Sequence, residues 1–362
     1  MIELRAVSWD EIQWADLDRY ADRTVFQTRE WLAFIAETQN GNPVVAELRD
    51  GGAVAGYFSG VLIQKLGVRI LGSPFPGWTT PYMGFNLLPK TIPRAQAVEG
   101  LCRWAFGTMG CLHLEVSDWQ FSNEGTSANR LQPEPSETYD SDLTQTEDEL
   151  LSRMRKSCRW SIRKAEKSGV TIEPATDPGF ADEHYAQLLD VFARQGLKPT
   201  YGVERVRALV RHLHPTGRLL LLRARNPEGR SIATGIYPGF NQWAHFWGTA
   251  SLRAEQHWQP NEGLHWYAMR YWKRQGVRHF DWGGSAGRSF KEKFGGARVS
   301  IPWFYGSKYQ ALAVARKGAR DLYYHTRRMI GRLRGFPQQP APVYTGEAAP
   351  CSDGPEKQSL GV

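Results

Sequence analysis

The sequence predicts an α/β (α+β) protein made of two similar units in tandem, each a mixed, mostly antiparallel sheet flanked by helices. Three observations lead to this fold class. The chain has 362 residues, well above the roughly 150 of a usual single domain. Both halves show the same order of a helix, several short strands, a second helix and a strand. Apolar residues make up 41% of the chain and aromatic residues 12%, enough for two buried cores.

Short apolar runs separated by glycines predict the strands of the first half, and apolar residues at helical spacing predict its helices. Strands are predicted over 2–7, 44–48, 56–64, 68–71 and 112–116, and helices over 29–38 and 92–107. The polar, turn-rich stretch 122–142 predicts a loop or a domain linker. These elements form a predicted N-terminal domain over residues 1–145.

The second half opens with a predicted helix over 152–169, whose apolar stripe comprises Leu151, Met154, Cys158, Ile162 and Ala165. Further helices are predicted over 180–193, 204–213 and 262–275, the last one capped by Asn261. Strands are predicted over 170–173, 219–224, 231–237, 243–247, 277–282 and 299–304. The predicted C-terminal domain spans 146–306. A basic amphipathic helix over 307–335 and a disordered, proline-rich tail over 336–362 follow it.

The formal net charge of +8 is concentrated in two segments. Residues 152–169 hold seven bases and one acid, and residues 307–335 hold eight bases and one acid. Arg155, Arg159, Arg163 and Lys167 form a row of like charges opposite the apolar stripe, which is unfavourable unless an anion relieves it. This row is either a solvated face or a binding face for phosphate. The 307–335 helix is a docked terminal helix, an RNA-binding face or a helix on an anionic membrane surface.

Several common site types are missing from the sequence. The four cysteines form no CxxC pair, and the N-terminus shows no signal peptide, so we expect a cytoplasmic protein. No P-loop, GxGxxG or GxSxG motif occurs. His212 and His214 form an HxH pair with no cysteine or acid cluster nearby, and we expect no metal site.

The stretch RHFDWGGSAGRSFKEKFGG, residues 278–296, carries chemistry-bearing residues beside glycines. A strand ends near Asp281, the Gly283–Gly284 turn follows, and Lys291 precedes a second glycine turn. Glycines let a ligand approach the backbone, while an acid and a lysine offer a base and an electrophilic or phosphate-binding group. The alternative is a purely structural turn.

Three segments together resemble the FemAB-like branch of the GNAT acyltransferase superfamily, which includes the BioF2-like (CelD-type) acetyltransferases. They are FQTREWLAFI, LLSRMRKSCRWSIRKAEKSGVTIE and QPNEGLHWYAMRYWKRQGVRHFDWGGSAGRSFKEKFGG. The resemblance covers about residues 20–305. It implies tandem GNAT domains, an acceptor in the cleft between them, and direct acyl transfer to an amine or hydroxyl of a cell-envelope precursor or glycan.

The resemblance also implies site residues. Lys291, Asp281 and Asp118 match positions expected to act in catalysis. Positions expected to bind the donor or its phosphates are matched by Arg159, Arg163, Lys164, Phe290, Gly283, Gly284 and Asn261. The donor is acyl-CoA, such as acetyl-CoA, or aminoacyl-tRNA, with no metal. The acceptor is a small-molecule or lipid-linked envelope precursor, and segment 307–335 is a candidate for peripheral membrane contact.

Two departures leave the donor open. The superfamily's usual pyrophosphate loop, Q/R-x-x-G-x-G/A, is absent, and so is the long helical hairpin that FemAB proteins use for tRNA contact. The competing hypothesis is a non-catalytic RNA-binding or membrane-surface module on a GNAT-like fold. Salt-sensitive binding without acyl transfer would distinguish this module from an enzyme.

Overall fold

A computed structural model of the protein describes residues 2–65, 67–89, 91–121, 131–193, 197–284, 290–309 and 312. These residues form two eight-stranded mixed sheets with helices packed against them. The predicted α/β class with two sheet-based units is confirmed. The predicted basic helix over 307–335 and the tail over 336–362 lie outside the described residues, apart from 307–309 and 312.

The first sheet is built mainly from the N-terminal half. Its strands are β1 (Glu3–Val7), β2 (Asn42–Asp50), β3 (Ala53–Lys65), β4 (Val68–Ser73), β5 (Gly84–Leu87), β6 (His113–Ser117) and β7 (Gln132–Glu134). The second sheet begins with β8 (Glu137–Asp142), β9 (Thr171–Pro174), β10 (Leu219–Arg225) and β11 (Ser231–Phe240). It is completed by β12 (Trp243–His245), β13 (Gly248–Ser251), β14 (His279–Gly284) and β15 (Ala297–Ser300). The last strand, β16 (Trp303–Ser307), returns to the first sheet.

The chain passes from one sheet to the other twice, between β7 and β8 and between β15 and β16. The first sheet runs β1-β2-β3-β4-β6-β16-β7, with β5 on β3. The second runs β15-β8-β14-β12-β11-β10-β9, with β13 on β11. The two crossings are bonded together, because the Ile301 amide donates to the Ser136 carbonyl at 2.8 Å. The predicted division after residue 145 therefore does not coincide with the division between the sheets: β8 belongs to the second sheet and β16 to the first.

The helices are α1 (Trp14–Leu17), α2 (Arg29–Thr38), α3 (Arg94–Arg103), α4 (Glu147–Arg153), α5 (Lys156–Lys167), α6 (Phe180–Ala193), α7 (Val203–Leu213) and α8 (Pro260–Arg274). The helices predicted over 29–38 and 180–193 are confirmed with the same bounds. Short 3-10 segments cover Val25–Gln27, His214–Thr216, Arg253–Trp258 and Phe290–Phe294, and a π turn over Trp104–Thr108 extends α3.

Four local predictions are wrong. Residues 132–142 are two strands because they pair with β16 and β14, a tertiary effect that the polar sequence does not signal. The 152–169 helix is broken at Met154, whose ψ of 146° is extended. The strand predicted over 243–247 ends at His245, and a separate strand, β13, begins at Gly248. The one predicted over 299–304 divides between the two sheets.

The apolar stripe predicted for 151–165 nevertheless faces a core. Four of its residues are buried in the core that α5 and α8 form with the second sheet: Met154, Cys158, Ile162 and Ala165. Burial raises the pKa of the Cys158 thiol to about 12, so this cysteine is a core residue and not a nucleophile.

A second hydrophobic cluster joins the two halves of the molecule. It includes Trp31 and Phe34 of α2 together with Val206 and Leu209 of α7, all fully buried. Surface ion pairs follow the same helices, since Glu37 of α2 accepts from Arg211 and lies 2.8 Å from His212 of α7. His212 thus contacts Glu37 at the surface. Because this cluster is shared, the two sheets are held in a defined relation.

Candidate active site

A cleft opens where the two sheets meet. It encloses about 790 Å³, part of which is open to solvent. One wall comes from the first half of the chain, with Phe26, Pro76, Gly77, Thr79, Thr80, Pro81 and Tyr82. The chain crossings contribute Ser136, Glu137, Thr138, Ile301 and Trp303. The opposite wall comprises His245, Phe246, Trp247, Asp281, Trp282, Gly283, Gly284 and Lys291.

The cleft lies at a gap in the second sheet. Strand β12 pairs in parallel with β14, but β13, two residues further on, pairs with β11 alone among the described strands. The chain turns away at Phe246 and Trp247: the Phe246 amide donates to Asp281 on β14, and the Trp247 amide donates to Ile236 on β11. The edge of β13 beside the gap is therefore not paired by another described strand.

Asp281 lies at the centre of the second wall and is 1% exposed. A register shift in β14 after Asp281, with Gly283 at φ 72°, turns the backbone so that the Gly283 amide donates to Asp281 Oδ1 at 2.8 Å. Thr138 of β8 donates to the same oxygen. Burial raises the pKa of Asp281, but His245, Thr138 and the Gly283 amide together outweigh burial, so its pKa lies below the usual range. The carboxyl group is therefore ionised.

His245 is the direct partner of this carboxylate. Its Nδ1 lies 3.3 Å from Asp281 Oδ2 and 3.4 Å from the Tyr82 hydroxyl. The imidazole is packed between Phe26, at 4.4 Å between ring centroids, and Trp243, which is stacked at 6.4 Å. Its Nε2 is buried and has no hydrogen-bond partner among the described residues. Burial and the neighbouring Asp281 raise the pKa of Tyr82 well above its usual value, so Tyr82 remains a neutral phenol.

Lys291 supplies positive charge to the same wall. The residue is 3% exposed, and its Nζ donates to the Gly284 carbonyl at 2.8 Å. The ammonium group also lies 5.7 Å from the centre of the Phe246 ring, within cation–π range. Behind it, burial and then the charges of Lys293 and Lys291 hold the pKa of His265 well below its usual range. The neutral His265 ring packs against Phe290. Lys291 is thus the cationic side chain among the described residues of this wall that line the cleft.

The structure brings together four of the sequence-predicted site residues. Asp281, Gly283, Gly284 and Lys291 all line the cleft. Phe290 stands behind it, in edge contact with Phe246 at 5.8 Å and stacked on His265. A packing role for Phe290 follows, because it supports the aromatic surface under Lys291.

Asp118, predicted as a catalytic acid, does not line the cleft. Its carboxylate is buried in the first half of the chain, where it accepts from the Phe85 amide at 2.7 Å and the Gln120 amide at 2.8 Å. Arg94 pairs with it at 3.3 Å and with Asp22 at 2.8 Å. These bonds connect β5, the end of β6 and α3, so Asp118 is a structural residue.

The basic row of α5 does not reach the cleft either. The Arg159 guanidinium donates to the Leu151, Ser152 and Met154 carbonyls, at the C-terminal end of α4. Arg163 is exposed, and Lys164 lies over the ring of Trp160, which is 57% exposed. Only the start of α5 touches the Lys291 turn, where Arg155 pairs with Glu292 at 2.8 Å. Arg159, Arg163 and Lys164 are therefore not among the residues that line the cleft with Lys291.

Asn261 is not the helix cap that the sequence predicts. Helix α8 begins at Pro260, and the residue before it, Gln259, has φ 59° and occupies the capping position. Asn261 lies in the first turn and donates to Ser251 of β13 at 3.2 Å. It therefore ties the start of α8 to the strand beside the gap.

Sequence reasoning missed three residues of the cleft. Thr138 lies in the segment predicted as a linker, and Tyr82 lies between predicted strands. A signal for His245 was present, since WAHFW places one imidazole in an otherwise apolar strand. Its meaning depends on Asp281, which is 36 residues away.

Within the described ranges, no group of three or more His, Cys, Asp or Glu residues is placed to hold a metal ion. None of the helices in that part of the chain combines the length and apolar character that crossing a membrane requires.

Comparisons with known proteins agree with this geometry. Residues 152–292 match the family model of the acetyltransferase (GNAT) domain. These residues contain α5 to α8, β9 to β14 and the turn that carries Lys291. No curated protein matches the sequence.

Solved structures show where this fold occurs. FemX superimposes with a TM-score of 0.70 at 13% identity, covering 85% of this chain and 98% of that chain. A conserved protein of unknown function from Bacteroides thetaiotaomicron superimposes with a TM-score of 0.54 at 12% identity, covering 85% of this chain and 99% of that chain. L-PGS from Bacillus licheniformis superimposes with a TM-score of 0.50 at 14% identity, covering 80% of this chain and 95% of that chain. The predicted resemblance to the GNAT superfamily is confirmed over residues 152–292, and the predicted α/β fold is shared with these structures.

Proposed function

We propose that this chain, whose residues 152–292 carry a GNAT domain, transfers an acyl group from an activated donor directly to an amine or hydroxyl in the cleft. The observation that carries the proposal is the meeting of Lys291 and the Asp281–His245 pair on one cleft wall. Acyl transfer needs a cation near the carbonyl oxygen and a proton acceptor near the nucleophile. Both kinds of group are present in one place.

Lys291 has the electrostatic role. As the nucleophile attacks, negative charge develops on the donor's carbonyl oxygen, and a preorganised cation stabilises it most effectively away from water. The Gly284 carbonyl, at 2.8 Å, holds the ammonium group in position before substrate arrives. Burial of Lys291 strengthens its field at the reacting carbonyl because fewer water dipoles screen it.

The gap in the second sheet gives the donor a route to Lys291. An extended donor arm that carries amide groups can pair with the edge of β13 as an added strand would. Such an arm ends beside Phe246, where the chain turns toward Asp281 and Lys291. Coenzyme A has amides in its arm, and the GNAT match supports an acyl-CoA donor. An aminoacyl-tRNA presents its ester at the same carbonyl position.

The acceptor enters between the two walls. Trp247 and Trp303 line the cleft, and the indole Nε1 of each is buried without a hydrogen-bond partner among the described residues. Indole rings that combine an apolar face with a donor suit a ring-shaped, hydroxyl-bearing acceptor. Together with the resemblance to envelope aminoacyltransferases, this supports a cell-envelope precursor or glycan as acceptor.

The test offers the purified protein two donors in turn. Radiolabelled acetyl-CoA, and then charged tRNA with a labelled amino acid, are incubated with cell-envelope precursors and amino sugars. We expect label to move to an acceptor from one donor. Lys291→Met, which keeps the length and removes the charge, serves as the control and should transfer far less. Transfer from neither donor, with salt-sensitive binding of RNA or anionic vesicles, would instead favour the non-catalytic module.

A further inference from the structure

We propose that His245 is the general base that removes the acceptor's proton, and that Asp281 is its positioning residue. The inference rests on the proposed transferase function and names the group in the cleft that performs its proton transfer. His245 lies in neither of the motifs that carry the family resemblance in this half of the chain. The contacts of its side chain support this role.

The contacts of the imidazole determine which nitrogen faces the acceptor. Nδ1 lies 3.3 Å from Asp281 Oδ2, and an ionised carboxylate can only accept a hydrogen bond. Nδ1 therefore carries the hydrogen, and Nε2 carries the lone pair. This Nε2 is buried and has no partner among the described residues, although His245 lines the cleft. A buried acceptor without a partner is costly unless a ligand donates to it.

Asp281 is itself held from two sides, so its orientation does not depend on His245. The Gly283 amide and the Thr138 hydroxyl both bind Oδ1, which leaves Oδ2 for the imidazole. Phe26 and Trp243 pack beside the ring. An imidazole fixed by a carboxylate through one nitrogen is a recurrent arrangement for a general base.

Other groups near the cleft are less suited to this role. Asp281 uses both of its oxygens in the contacts just described. Tyr82 is a fully buried phenol, and its raised pKa keeps it protonated. Lys291 carries a positive charge. His245 is the proton acceptor that remains among these four residues.

The step balances without a further reagent. The acceptor's nitrogen or oxygen forms a bond to the donor's carbonyl carbon while its proton passes to His245 Nε2. The tetrahedral intermediate then collapses. The C–S bond of a thioester, or the C–O bond of an aminoacyl ester, breaks, and the electron pair leaves with sulfur or oxygen. The imidazolium returns its proton to the leaving group, which restores neutral His245.

The titratable groups that surround His245 set the expected pH profile. They are Tyr82 from the first wall, Asp281 and His279 on β14, Asp140 and Glu137 on β8, and Lys291 on the second wall. His279 and Asp140 are paired at 2.9 Å. Asp281 is the carboxylate in contact with the imidazole, so removing its charge should move the acidic limb of the rate profile to lower pH.

The experiment compares two buried histidines. His245→Ala removes the proposed base, and His184→Ala is the matched control. The His184 Nδ1 binds Thr234 at 2.9 Å, and its Nε2 also has no partner among the described residues, but His184 does not line the cleft. We expect His245→Ala to lower kcat by about 100–10,000-fold with donor binding retained. Added imidazole should restore part of the rate. His184→Ala should retain kcat wherever it folds.

The outcomes separate the two proposals. If the wild type transfers label and His245→Ala is as fast, or loses rate without rescue by imidazole, His245 is not the base, while the transferase assignment stands. If the wild type transfers nothing, both proposals fail. Should His245→Ala not fold, Asp281→Asn decides. An acidic limb that stays in place would overturn the inference, and a limb moved to lower pH would support it.

Discussion

Asp118 and Asp281 occupy similar places in the two halves of the molecule but have different roles. Asp118 follows β6, which runs parallel to β4, and Asp281 lies in β14, which runs parallel to β12. Both carboxylates are buried, and both accept backbone amides. A glycine with positive φ lies close to each of them, Gly84 at 69° and Gly283 at 72°.

The two carboxylates differ in the groups that bind them. Arg94 and two backbone amides bind Asp118, and the cleft is elsewhere. Asp281 is bound by Thr138 and His245, which both line the cleft. A buried acid at the end of a strand therefore does not identify an active site. The groups that bind the acid, and whether any of them reaches a cavity, decide its role.

The largest effect in this comparison is expected at Lys291, because Arg94, the cation beside Asp118, does not line the cleft. Lys291→Ala removes the charge that faces the donor's carbonyl oxygen, and kcat should fall by about 100–1000-fold. Single-turnover assays with the labelled donor would measure this loss. Unchanged turnover in a folded variant would exclude Lys291 from the reaction.

Asparagine at each acid tests the comparison directly. Asp281→Asn should lower kcat by about 100-fold or more, because the imidazole loses the carboxylate that orients it. Asp118→Asn should leave kcat unchanged and lower the free energy of unfolding by about 1–3 kcal/mol, since it weakens buried hydrogen bonds. Urea denaturation and initial rates on both variants provide the measurements. A loss of rate in Asp118→Asn, at full stability, would contradict the structural role.

Alanine at each glycine should separate stability from activity. In Gly84→Ala, the new Cβ would lie 2.4 Å from Asp118 Oδ2, and positive φ adds about 1–2 kcal/mol of strain. In Gly283→Ala, the nearest atom is Lys291 Nζ at 3.6 Å, so strain without a clash remains.

We therefore expect Gly84→Ala to be the less stable variant with normal kcat, and Gly283→Ala to lose up to about 100-fold in kcat through displaced site groups. Thermal unfolding and rate assays in parallel would show whether the two effects separate.

The smallest expected effect is a pH dependence of stability with opposite sign at the two acids. Burial raises the pKa of Asp281, but its hydrogen bonds prevail and the pKa is lowered, so ionised Asp281 stabilises the fold above its unfolded pKa of 3.8. That contribution is lost as pH falls through the lowered value. Burial raises the pKa of Asp118 despite Arg94, so its contribution is lost as pH rises through the raised value.

Unfolding free energies of the wild type and both asparagine variants, from about pH 3 to 7, would test this. The difference between the wild type and Asp281→Asn should grow with pH, and the difference for Asp118→Asn should shrink. Parallel trends would show that the two carboxylates have similar surroundings.

Local pattern was sufficient for much of the fold. The apolar spacing in REWLAFIAET predicts α2 with its observed bounds, since a helix that packs one face on a core must show that period. Strands β7 and β8 were missed because QPE and ETYDSD are polar. Pairing with β16 and β14 makes them strands, and pairing across such distances leaves no trace in local composition.

The sequence by itself determined the α/β class, the GNAT resemblance and the glycine turn that places Asp281 and Lys291 near each other, because these depend on short-range spacing. Tertiary structure alone decided which charges meet. It joined His245 and Thr138 to Asp281, and it left Asp118 and Arg159 with structural partners. The physical reason is that the role of a carboxylate or guanidinium depends on the groups that pack beside it, and those neighbours come from distant parts of the chain.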